Sequence, residues 1–360
     1  MMRISGIQVE LRPARAVEPN FRWRNGLPGS DGPTIHAILR VQTDGGIEGV
    51  VPALRGPIVA DLVDRRLRDE LVGQDPLQRE WIWHRLWEVD RVEEFPIYIH
   101  GLIDAALWDI AGKATELPLY RLLGGFRESI PAYASTVTFT SIEEYLDVTD
   151  QCLELGYQAI KLHAWGDARQ DARLCQALRA HVGPDLPLMY DGSAGFDLPD
   201  AIYLGHALAE ADYLWYEEPM REFSISAYKQ LARAVRVPLN VAETSDGAHM
   251  NTADFIAAGC AAFVRTSWNL RAGITGAMRI AHLADAFRIR AEVHGPGLIH
   301  QHLCMAISNN TYYESLVLSN PVVREACVDA HGLVHAPQAA GLGFEHLWQQ
   351  QGNSSLAEQI

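Results

Sequence analysis

The chain has 360 residues, of which 48% are hydrophobic, so it can bury a large core and is not a disordered protein. Its formal net charge of −15 argues against a nucleic-acid partner, because phosphate binding needs a basic surface. Five scattered cysteines without a CxxC pair, no signal-peptide core and no apolar run of roughly 18–20 residues predict a cytoplasmic protein with reduced thiols and no membrane partner.

Residues 1–127 predict an α+β domain. Strand patterns occupy residues 3–11 and 35–43, a turn signal follows at 44–46, and helical patterns occupy residues 75–91 and 99–115. Between the first two strands, residues 18–33 form a polar, Gly- and Pro-rich loop that contains aromatic residues.

From residue 128 to residue 322, short apolar runs alternate with helical patterns such as 141–154, 169–181 and 276–287. The strand candidates are Ile130–Ser135, Tyr157–His163, Leu186–Asp191, Tyr213–Glu217, Val237–Glu243, Ala262–Thr266, Ile289–His294 and Thr311–Glu314. Such alternation implies parallel strands joined by right-handed crossovers, and eight strands favour a barrel over an open sheet. Residues 323–360 are expected to run back to the N-terminal domain.

Three acidic residues recur at a fixed spacing. Asp191, Glu217 and Glu243 are 26 residues apart (217 − 191 = 26 and 243 − 217 = 26), and each ends a strand candidate. This places all three on the C-terminal rim of a barrel, where active sites lie. Clustered carboxylates repel one another and raise their own pKa values, whereas Mg²⁺ prefers oxygen ligands. The pattern therefore predicts a magnesium site; the alternative is ordinary acids that are solvated or paired with arginine.

Further polar groups fall on the same rim. Lys161 and His163 lie two residues apart in the strand AIKLH and so face the same side. His294 ends the strand AEVH, and Glu314 ends TYYE. Each residue taken alone also fits a structural role, as a surface lysine, a core histidine or a solvated acid. Their common position beside the three acids favours a role in the chemistry.

The sequence resembles the enolase superfamily, in its mandelate racemase-like branch that includes acid-sugar dehydratases. The resemblance rests on GLIDAALWDIAGKATELPLYRLLGG (101–125), the Lys-x-basic pair at 161–163, YEEP (216–219), AETS (242–245), ITGA (274–277) and EVHG (292–295). It implies an α/β protein with an N-terminal α+β capping domain and a modified (β/α)₇β TIM-type barrel. It also implies Mg²⁺ as cofactor, a small carboxylate substrate and a homo-oligomer.

The resemblance also implies roles for individual residues. The implied metal ligands are Asp191, Glu217 and Glu243, with Glu218 beside them as a supporting or merely solvated neighbour. The implied catalytic residues are the base pair Lys161 and His163, the histidine His294 and the hydrogen-bonding acid Glu314.

Two features depart from the family pattern. The usual Lys-x-Lys is here Lys-x-His, and the aspartate that normally ends the sixth strand is absent from the segment Val264-Arg265-Thr266-Ser267. We expect Thr266 to hydrogen-bond His294, although a hydroxyl would not stabilise an imidazolium as a carboxylate does. His294 is therefore a weak second base, which counts against a racemase, but it is a suitable general acid.

The favoured hypothesis is dehydration of a sugar acid to a 2-keto-3-deoxy acid. His163 is the preferred base because its unperturbed pKa is roughly 6.5, while Lys161 would hold the substrate carboxylate; the opposite assignment stays open. His294 would protonate the leaving hydroxyl, and Glu314, if protonated, would donate a hydrogen bond to the enediolate. The alternatives are a racemase or epimerase of a hydroxy acid and a non-catalytic barrel that binds metal or sugar acid.

Residues 18–33 are the candidate lid over the barrel. Phe21, Arg22, Trp23 and Arg24 would supply a wall and a cation for the substrate, or the loop would instead pack on a neighbouring subunit. Arg265 would bind a substrate anion, pair with a metal-binding acid or serve only in packing.

Overall fold

The computed structural model describes residues 2–14, 17–30 and 34–351 of the chain. Residues 31–33 of the predicted lid and residues 352–360 of the predicted C-terminal segment therefore lie outside the described residues. The strands are β1 (Ile4–Ala14), β2 (Thr34–Thr43), β3 (Glu48–Ala53), β4 (Ser129–Thr136), β5 (Ile160–His163), β6 (Leu188–Asp191), β7 (Trp215–Glu217), β8 (Leu239–Val241), β9 (Phe263–Thr266), β10 (Arg290–Val293), β11 (Tyr313–Val317) and β12 (Leu333–His335).

The helices follow the same chain order, and a π-helical turn, Val63–Leu67, joins the first two. They are α1 (Gly56–Leu62), α2 (Arg68–Leu71), α3 (Arg79–Glu93), α4 (Ile97–Ala114), α5 (Leu119–Leu122), α6 (Ile142–Glu154), α7 (Ala168–Val182), α8 (Leu198–Glu210), α9 (Ile225–Ala234), α10 (Ala248–Ala257), α11 (Gly273–Ala286), α12 (Leu298–Ala306) and α13 (Phe344–Gln351).

The N-terminal part is an antiparallel sheet in the order β1-β2-β3, covered by helices. Helix α4 lies so close to β3 that a Cβ on Gly49 would come within 2.1 Å of the Ala106 carbonyl oxygen, so only glycine fits there. The Asp109 carboxylate of the same helix accepts a hydrogen bond from the Val50 amide at 2.8 Å. The predicted α+β arrangement of strands and helices is therefore found in this part of the chain.

Residues 129–317, all of which the structure describes, contain seven strand–helix units followed by an eighth strand. The eight strands are parallel and lie in the order β10-β9-β8-β7-β6-β5-β4-β11. At one end of this path, the Ala291 amide of β10 donates a hydrogen bond of 3.0 Å to the Asn309 carbonyl in the loop that leads into β11. The predicted α/β class and its strand–helix alternation are confirmed.

The crossover helices begin where short polar side chains cap them, as the sequence pattern requires. Ser141 accepts a bond from the Glu144 amide before α6, and Asp167 accepts bonds from two amides at the start of α7. Their apolar faces pack on the sheet and form one large core. A smaller apolar cluster lies on the other face of the strands and includes Tyr133, Met189 and Trp215.

The C-terminal segment contacts both parts of the molecule. Strand β12 pairs antiparallel with the start of β4, with Leu333 opposite Pro131. Further along, the Leu342 amide donates to the Asp109 carboxylate of α4 at 2.7 Å, and Lys113 forms an ion pair with Glu345. The described part of this segment thus ties the parallel sheet to the N-terminal part.

Two predicted strand ends are wrong in ways that affect the site. Strand β8 ends at Val241, so Glu243 lies in the loop two residues beyond it. Strand β11 continues to Val317, so Glu314 is its second residue and not its last. The reason in the second case is that the following residues, from Ser315 to Val317, pair in register with β4 and keep the chain extended.

All five cysteines lie in the described residues and are free thiols, four of them buried. Among the helices that the structure describes, none has the length and apolar character to cross a membrane. The cytoplasmic location and the homo-oligomer remain predictions.

Candidate active site

The register of the parallel strands sets three polar residues side by side. His163, Asp191 and Glu217 are the last residues of β5, β6 and β7, and each is the direct partner of the next across the ladder. Glu243 follows one strand further on, in the loop after β8. The common rim predicted from the spacing of these acids is therefore present.

Lys161 points into the same group of acids and is fully buried. Its ammonium lies 3.1 Å from Asp191, 3.3 Å from Glu217 and 2.8 Å from Glu314. Burial lowers the pKa of Lys161, but the Glu217 and Glu314 carboxylates outweigh it and hold this pKa well above its ordinary value. Lys161 is therefore a charged group that holds three acids together.

His163 is fixed in orientation by the backbone. Its Nδ1 lies 2.7 Å from the Thr136 carbonyl oxygen, which can only accept, so Nδ1 carries a proton and Nε2 is the nitrogen that faces the acids. Nε2 lies 3.1 Å from Asp191 Oδ2, the same oxygen that Lys161 contacts. This agrees with the prediction that Lys161 and His163 face the same side of the strand.

Glu217 is the most heavily contacted of the acids. One of its oxygens accepts a hydrogen bond from Arg265 Nε, and the other accepts bonds from Trp215 Nε1 at 2.9 Å and from Lys161. Burial raises the pKa of Glu217 well above its ordinary value, against the opposing charges of Arg265 and Lys161. The neighbouring Asp191 and Glu243 carboxylates raise it further, which is the repulsion that a bound cation removes.

Arg265 is fully buried, and each of its guanidinium nitrogens is engaged. Besides Glu217, it donates to the Val293 carbonyl at 3.1 Å, to the Tyr133 hydroxyl at 3.0 Å and to Glu314 at 2.9 Å. These four bonds use four of the five N–H donors of the guanidinium, so a role of Arg265 in binding a substrate anion stays a prediction. Of the three interpretations, the structure shows pairing with an acid that is a predicted metal ligand, Glu217.

Glu243 and His294 face each other without a good hydrogen bond. Glu243 Oε2 lies 3.2 Å from His294 Nδ1, yet both atoms are buried and have no hydrogen-bond partner. Burial raises the pKa of Glu243, but the His294 imidazole outweighs it and lowers this pKa to about 2. Ligand atoms of Glu217, Glu243 and His294 lie within 4.8 Å of one another, the one such group of three among the described residues.

These residues fit a divalent cation. Four buried carboxylates, Asp191, Glu217, Glu243 and Glu314, face two permanent cations, Lys161 and Arg265, which leaves a net charge of −2 when all six are ionised (2 − 4 = −2). A hard dication offsets that charge and satisfies the unpartnered Glu243 oxygen. The structure brings His294 into the candidate ligand group, whereas Asp191 contacts Lys161 and His163; its role as a ligand stays a prediction.

Two predicted contacts differ in the structure. Glu314 is no proton donor: burial raises its pKa, but Lys161 and Arg265 together hold this pKa well below its ordinary value, so it is a carboxylate. The Thr266 hydroxyl donates to the Ala277 carbonyl at 3.1 Å, inside α11, and not to His294. The ring of His294 faces carboxylates, with Glu314 Oε2 at 3.5 Å in addition to Glu243.

The predicted lid lies over the ends of β4, β5 and β6. The Arg22 carbonyl accepts a bond from the Thr138 amide at 2.9 Å, and the Asn25 amide donates to the Trp165 carbonyl at 3.2 Å. The Trp23 ring lies against the His163 ring with centroids 4.5 Å apart, and Phe21 contacts Trp23 at 5.1 Å.

Arg24 of the same loop reaches the segment after β6. Its Nε donates to the Ser193 carbonyl at 3.0 Å, and its side chain passes directly over Gly195. Burial and the charge of Arg221 lower the pKa of Arg24. Phe21 and Trp23 thus form a wall at the site, and Arg24 brings a positive charge to its edge; the side chain of Arg22 is exposed.

The sequence did not single out Glu222, which is buried beside the loop that carries Glu243. Its two carboxylate oxygens accept hydrogen bonds from the amides of Ala242 and Thr244. Glu218 contributes as well, since it accepts a bond of 2.6 Å from the Thr244 hydroxyl. In the sequence, Glu222 is a single acid three residues after YEEP, and its partners 20 and 22 residues away cannot be inferred from spacing.

Comparison with known proteins agrees with this geometry. Residues 30–124 match the model described as the mandelate racemase / muconate lactonizing enzyme N-terminal domain, and residues 144–350 match the enolase C-terminal domain-like model. A D-galactonate dehydratase family member from Streptomyces bingchenggensis is 29% identical over 85% of this chain and 86% of its own length. The L-talarate/galactarate dehydratase of Salmonella typhimurium is 28% identical over 78% of this chain and 72% of its own.

Among solved structures, the D-glucarate dehydratase from Agrobacterium tumefaciens complexed with magnesium superposes with a TM-score of 0.85 and 30% sequence identity. The match covers 94% of this chain and 95% of that one. Both parts of the chain are therefore included in the likeness.

Proposed function

Because the chain belongs to the mandelate racemase/muconate lactonizing enzyme family of the enolase superfamily, we propose that it is a Mg²⁺-dependent carbon–oxygen lyase that dehydrates a sugar acid to a 2-keto-3-deoxy acid. One observation carries the proposal. A row of acids, Asp191, Glu217 and Glu243, has one imidazole against each end, His163 on Asp191 and His294 on Glu243. Proton removal and proton donation thus have separate groups on the two sides of a cation site.

The proposed scaffold is a closed (β/α)₇β barrel with a capping domain. Seven strand–helix units plus an eighth strand supply its elements, and the bond from Ala291 of β10 to Asn309, in the loop before β11, supports closure. The bond of 2.7 Å from the Gly295 amide to Glu314 supports the same closure. In such a barrel the residues after the strands form one pocket.

Glu217, Glu243 and Asp191 would hold the magnesium ion, with His294 beside it. When bound, Mg²⁺ supplies positive charge that stabilises the negative charge developing on the substrate carboxylate as the α-proton leaves. Lys161 and Arg265 keep the acids close together by balancing part of their charge. Both cations are committed to these acids, so the substrate carboxylate is left to the metal site.

His163 is the proposed base. The bond from its Nδ1 to Thr136 leaves Nε2, which faces Asp191 in this structure, as the nitrogen that would accept the substrate proton. Trp23 covers the ring and limits the access of water to it. Lys161 is less suited, because its pKa is raised and its ammonium stays charged between three carboxylates.

His294 is the proposed acid that protonates the departing hydroxyl. The Glu243 and Glu314 oxygens lie 3.2 and 3.5 Å from its Nδ1, so two carboxylates face the ring. The carboxylate that the sequence lacks after the sixth barrel strand is thus replaced by two others. Glu314 acts here as an ionised group that holds Lys161, Arg265 and His294 in place.

The proposed substrate is a polyhydroxylated acid of the class named for the relatives, which include galactonate, talarate, galactarate and glucarate dehydratases. The wall formed by Phe21 and Trp23 and the charge of Arg24 would contact the part of the acid distant from the metal. These lid residues are therefore the proposed determinants of specificity.

The test incubates the protein with Mg²⁺ and a library of sugar mono- and diacids in D₂O, and follows keto-acid formation and deuterium incorporation. We expect keto acid from at least one acid, loss of activity with a chelator, and loss of activity in Glu243→Gln. The control is Glu210→Gln, the same chemical change at an exposed residue at the end of α8. Inversion of configuration without keto acid would show a racemase, and metal-dependent binding without any exchange would show a non-catalytic protein.

A further inference from the structure

Glu222 lies close to the candidate metal site without being part of it. It follows β7 by five residues, is only 3% exposed, and is not among the side chains whose ligand atoms converge on a common point. Both of its oxygens are already used by backbone amides, those of Ala242 and Thr244. A direct role as ligand or proton carrier would require these bonds to break.

The two amides belong to the residues on either side of Glu243. Strand β8 has already ended at Val241, so no ladder hydrogen bond fixes this part of the chain. Ala242 has φ = 68°, a left-handed conformation that L-residues other than glycine rarely adopt unless the surroundings impose it. The Glu222 carboxylate accepts the amide of this residue and thereby holds the unusual backbone conformation.

The side chain of Glu243 has little else to direct it. Its Oε2 has no hydrogen-bond partner; His294 Nδ1 at 3.2 Å and Arg265 Nε at 3.7 Å are its ionic neighbours, and neither donates a hydrogen bond to it. On the far side of Glu243, Thr244 is held twice, by Glu222 through its amide at 3.0 Å and by Glu218 through its hydroxyl at 2.6 Å. The direction of Glu243 is thus set by its backbone, and the backbone is set by Glu222.

We infer that Glu222 is a positioning residue that aims the Glu243 carboxylate at the cation site by binding the amides before and after it. The inference rests on the proposed function, in which Glu243 holds a divalent cation. A carboxylate suits this task because its two oxygens can accept two N–H groups at once. Glutamine offers one oxygen, and its NH₂ group would face the second N–H donor.

The test measures Mn²⁺ affinity of the full chain by electron paramagnetic resonance for the wild type, Glu222→Gln, Glu222→Asp and the exposed control Glu210→Gln. Because a buried N–H left without its acceptor is costly enough to change an equilibrium constant about tenfold or more, we expect Glu222→Gln to bind Mn²⁺ roughly ten- to a hundredfold more weakly. Glu222→Asp, which keeps the charge, should recover part of the affinity, and Glu210→Gln should bind as the wild type does.

A thermal melt without metal distinguishes a loss of Glu243 orientation from a general loss of stability. If Glu222→Gln melts near the wild type yet binds Mn²⁺ weakly, the positioning role is supported; unchanged Mn²⁺ affinity overturns it. If Glu222→Gln does not fold, the Mn²⁺ affinity of Glu222→Asp is compared with that of the wild type. The shorter carboxylate cannot reach both amides without moving the loop, so weaker binding supports the positioning role and unchanged binding overturns it. Glu243→Gln serves as the reference: if it binds Mn²⁺ normally, the proposed metal site itself fails, independently of Glu222.

Discussion

Replacing Arg265 with methionine tests the charge balance of the site. Arg265 makes four hydrogen bonds in a fully buried position, two of them to the carboxylates of Glu217 and Glu314. Removing one partner of a buried ion pair costs about 3–5 kcal/mol, because the other charge is left without compensation. We expect Arg265→Met to lose about that much of its free energy of unfolding in the absence of metal.

The same variant should gain more from magnesium than the wild type does. Without Arg265 the acids carry one more uncompensated negative charge, so the affinity for a dication rises. Mg²⁺ at 100 times its dissociation constant stabilises the folded state by about 2.7 kcal/mol, and a tighter site reaches this at a lower concentration. Urea unfolding with a chelator and across a Mg²⁺ titration measures both effects.

The matched control is Arg169→Met, which removes an exposed guanidinium 3.4 Å from Asp200 and should cost less than about 1 kcal/mol. The reasoning is refuted if Arg265→Met loses no more than this control, or if its stability responds to Mg²⁺ as the wild type does.

The dependence of the free energy of unfolding on pH in the acid range gives an independent check on Arg265→Met. Against the effect of burial, His163 and Lys161 lower the pKa of Asp191, and Lys161 and Arg265 lower that of Glu314. A lowered folded-state pKa contributes stability above the ordinary carboxylate value of roughly 4, and this contribution is lost as the pH falls toward the folded value. Arg265→Met should therefore show a shallower loss of stability on acidification below about pH 5 than the wild type.

Three further substitutions test the proposed mechanism and lid. His163→Asn should slow α-proton exchange at least about 100-fold in D₂O while Mn²⁺ still binds, and exchange at the wild-type rate would assign the base elsewhere. Trp23→Ala should raise KM about tenfold, because the indole ring covers His163. Since Trp23 lies in a surface loop, the free energy of unfolding should change by less than about 1 kcal/mol; an unchanged KM contradicts the prediction. Gly195→Ala would place a methyl group 2.7 Å from Arg24 Cδ, so it should displace Arg24 and raise KM as Arg24→Ala does, and kinetics that differ between the two variants would contradict that cause.

The sequence predicts what depends on local periodicity. The strand–helix alternation is a short-range pattern, and the spacing of Asp191 and Glu217 follows from the length of one strand–helix unit, so their adjacency on the rim was predictable. The lid was predictable as a loop with aromatic residues, but its seat on His163, meaning the packing of Trp23 against that ring, was not. That seat depends on contacts such as the one between Asn25 and Trp165, which join parts of the chain 140 residues apart (165 − 25 = 140).

Charge states and side-chain pairing were not predictable, since they arise from long-range proximity. Nothing in the order of residues shows that Glu314 forms ion pairs with both Lys161 and Arg265. These two ion pairs keep it a carboxylate, so it is not a proton donor. The same holds for Thr266, whose hydroxyl donates to the Ala277 carbonyl in α11. A side chain at the end of a strand has several possible partners, and the tertiary structure determines which of them lies within bonding distance.

The arginine at position 265 and the carboxylates around His294 belong to one electrostatic arrangement. An aspartate near this position would add a fifth acid to a buried site that already holds four, whereas Arg265 removes one unit of their repulsion. Glu314 Oε2 accepts hydrogen bonds from Arg265 Nη2 and the Gly295 amide, and it lies 3.5 Å from His294 Nδ1. Arg265 therefore fixes the carboxylate that accompanies His294, so the absence of the usual aspartate does not leave the imidazole without a counter-charge.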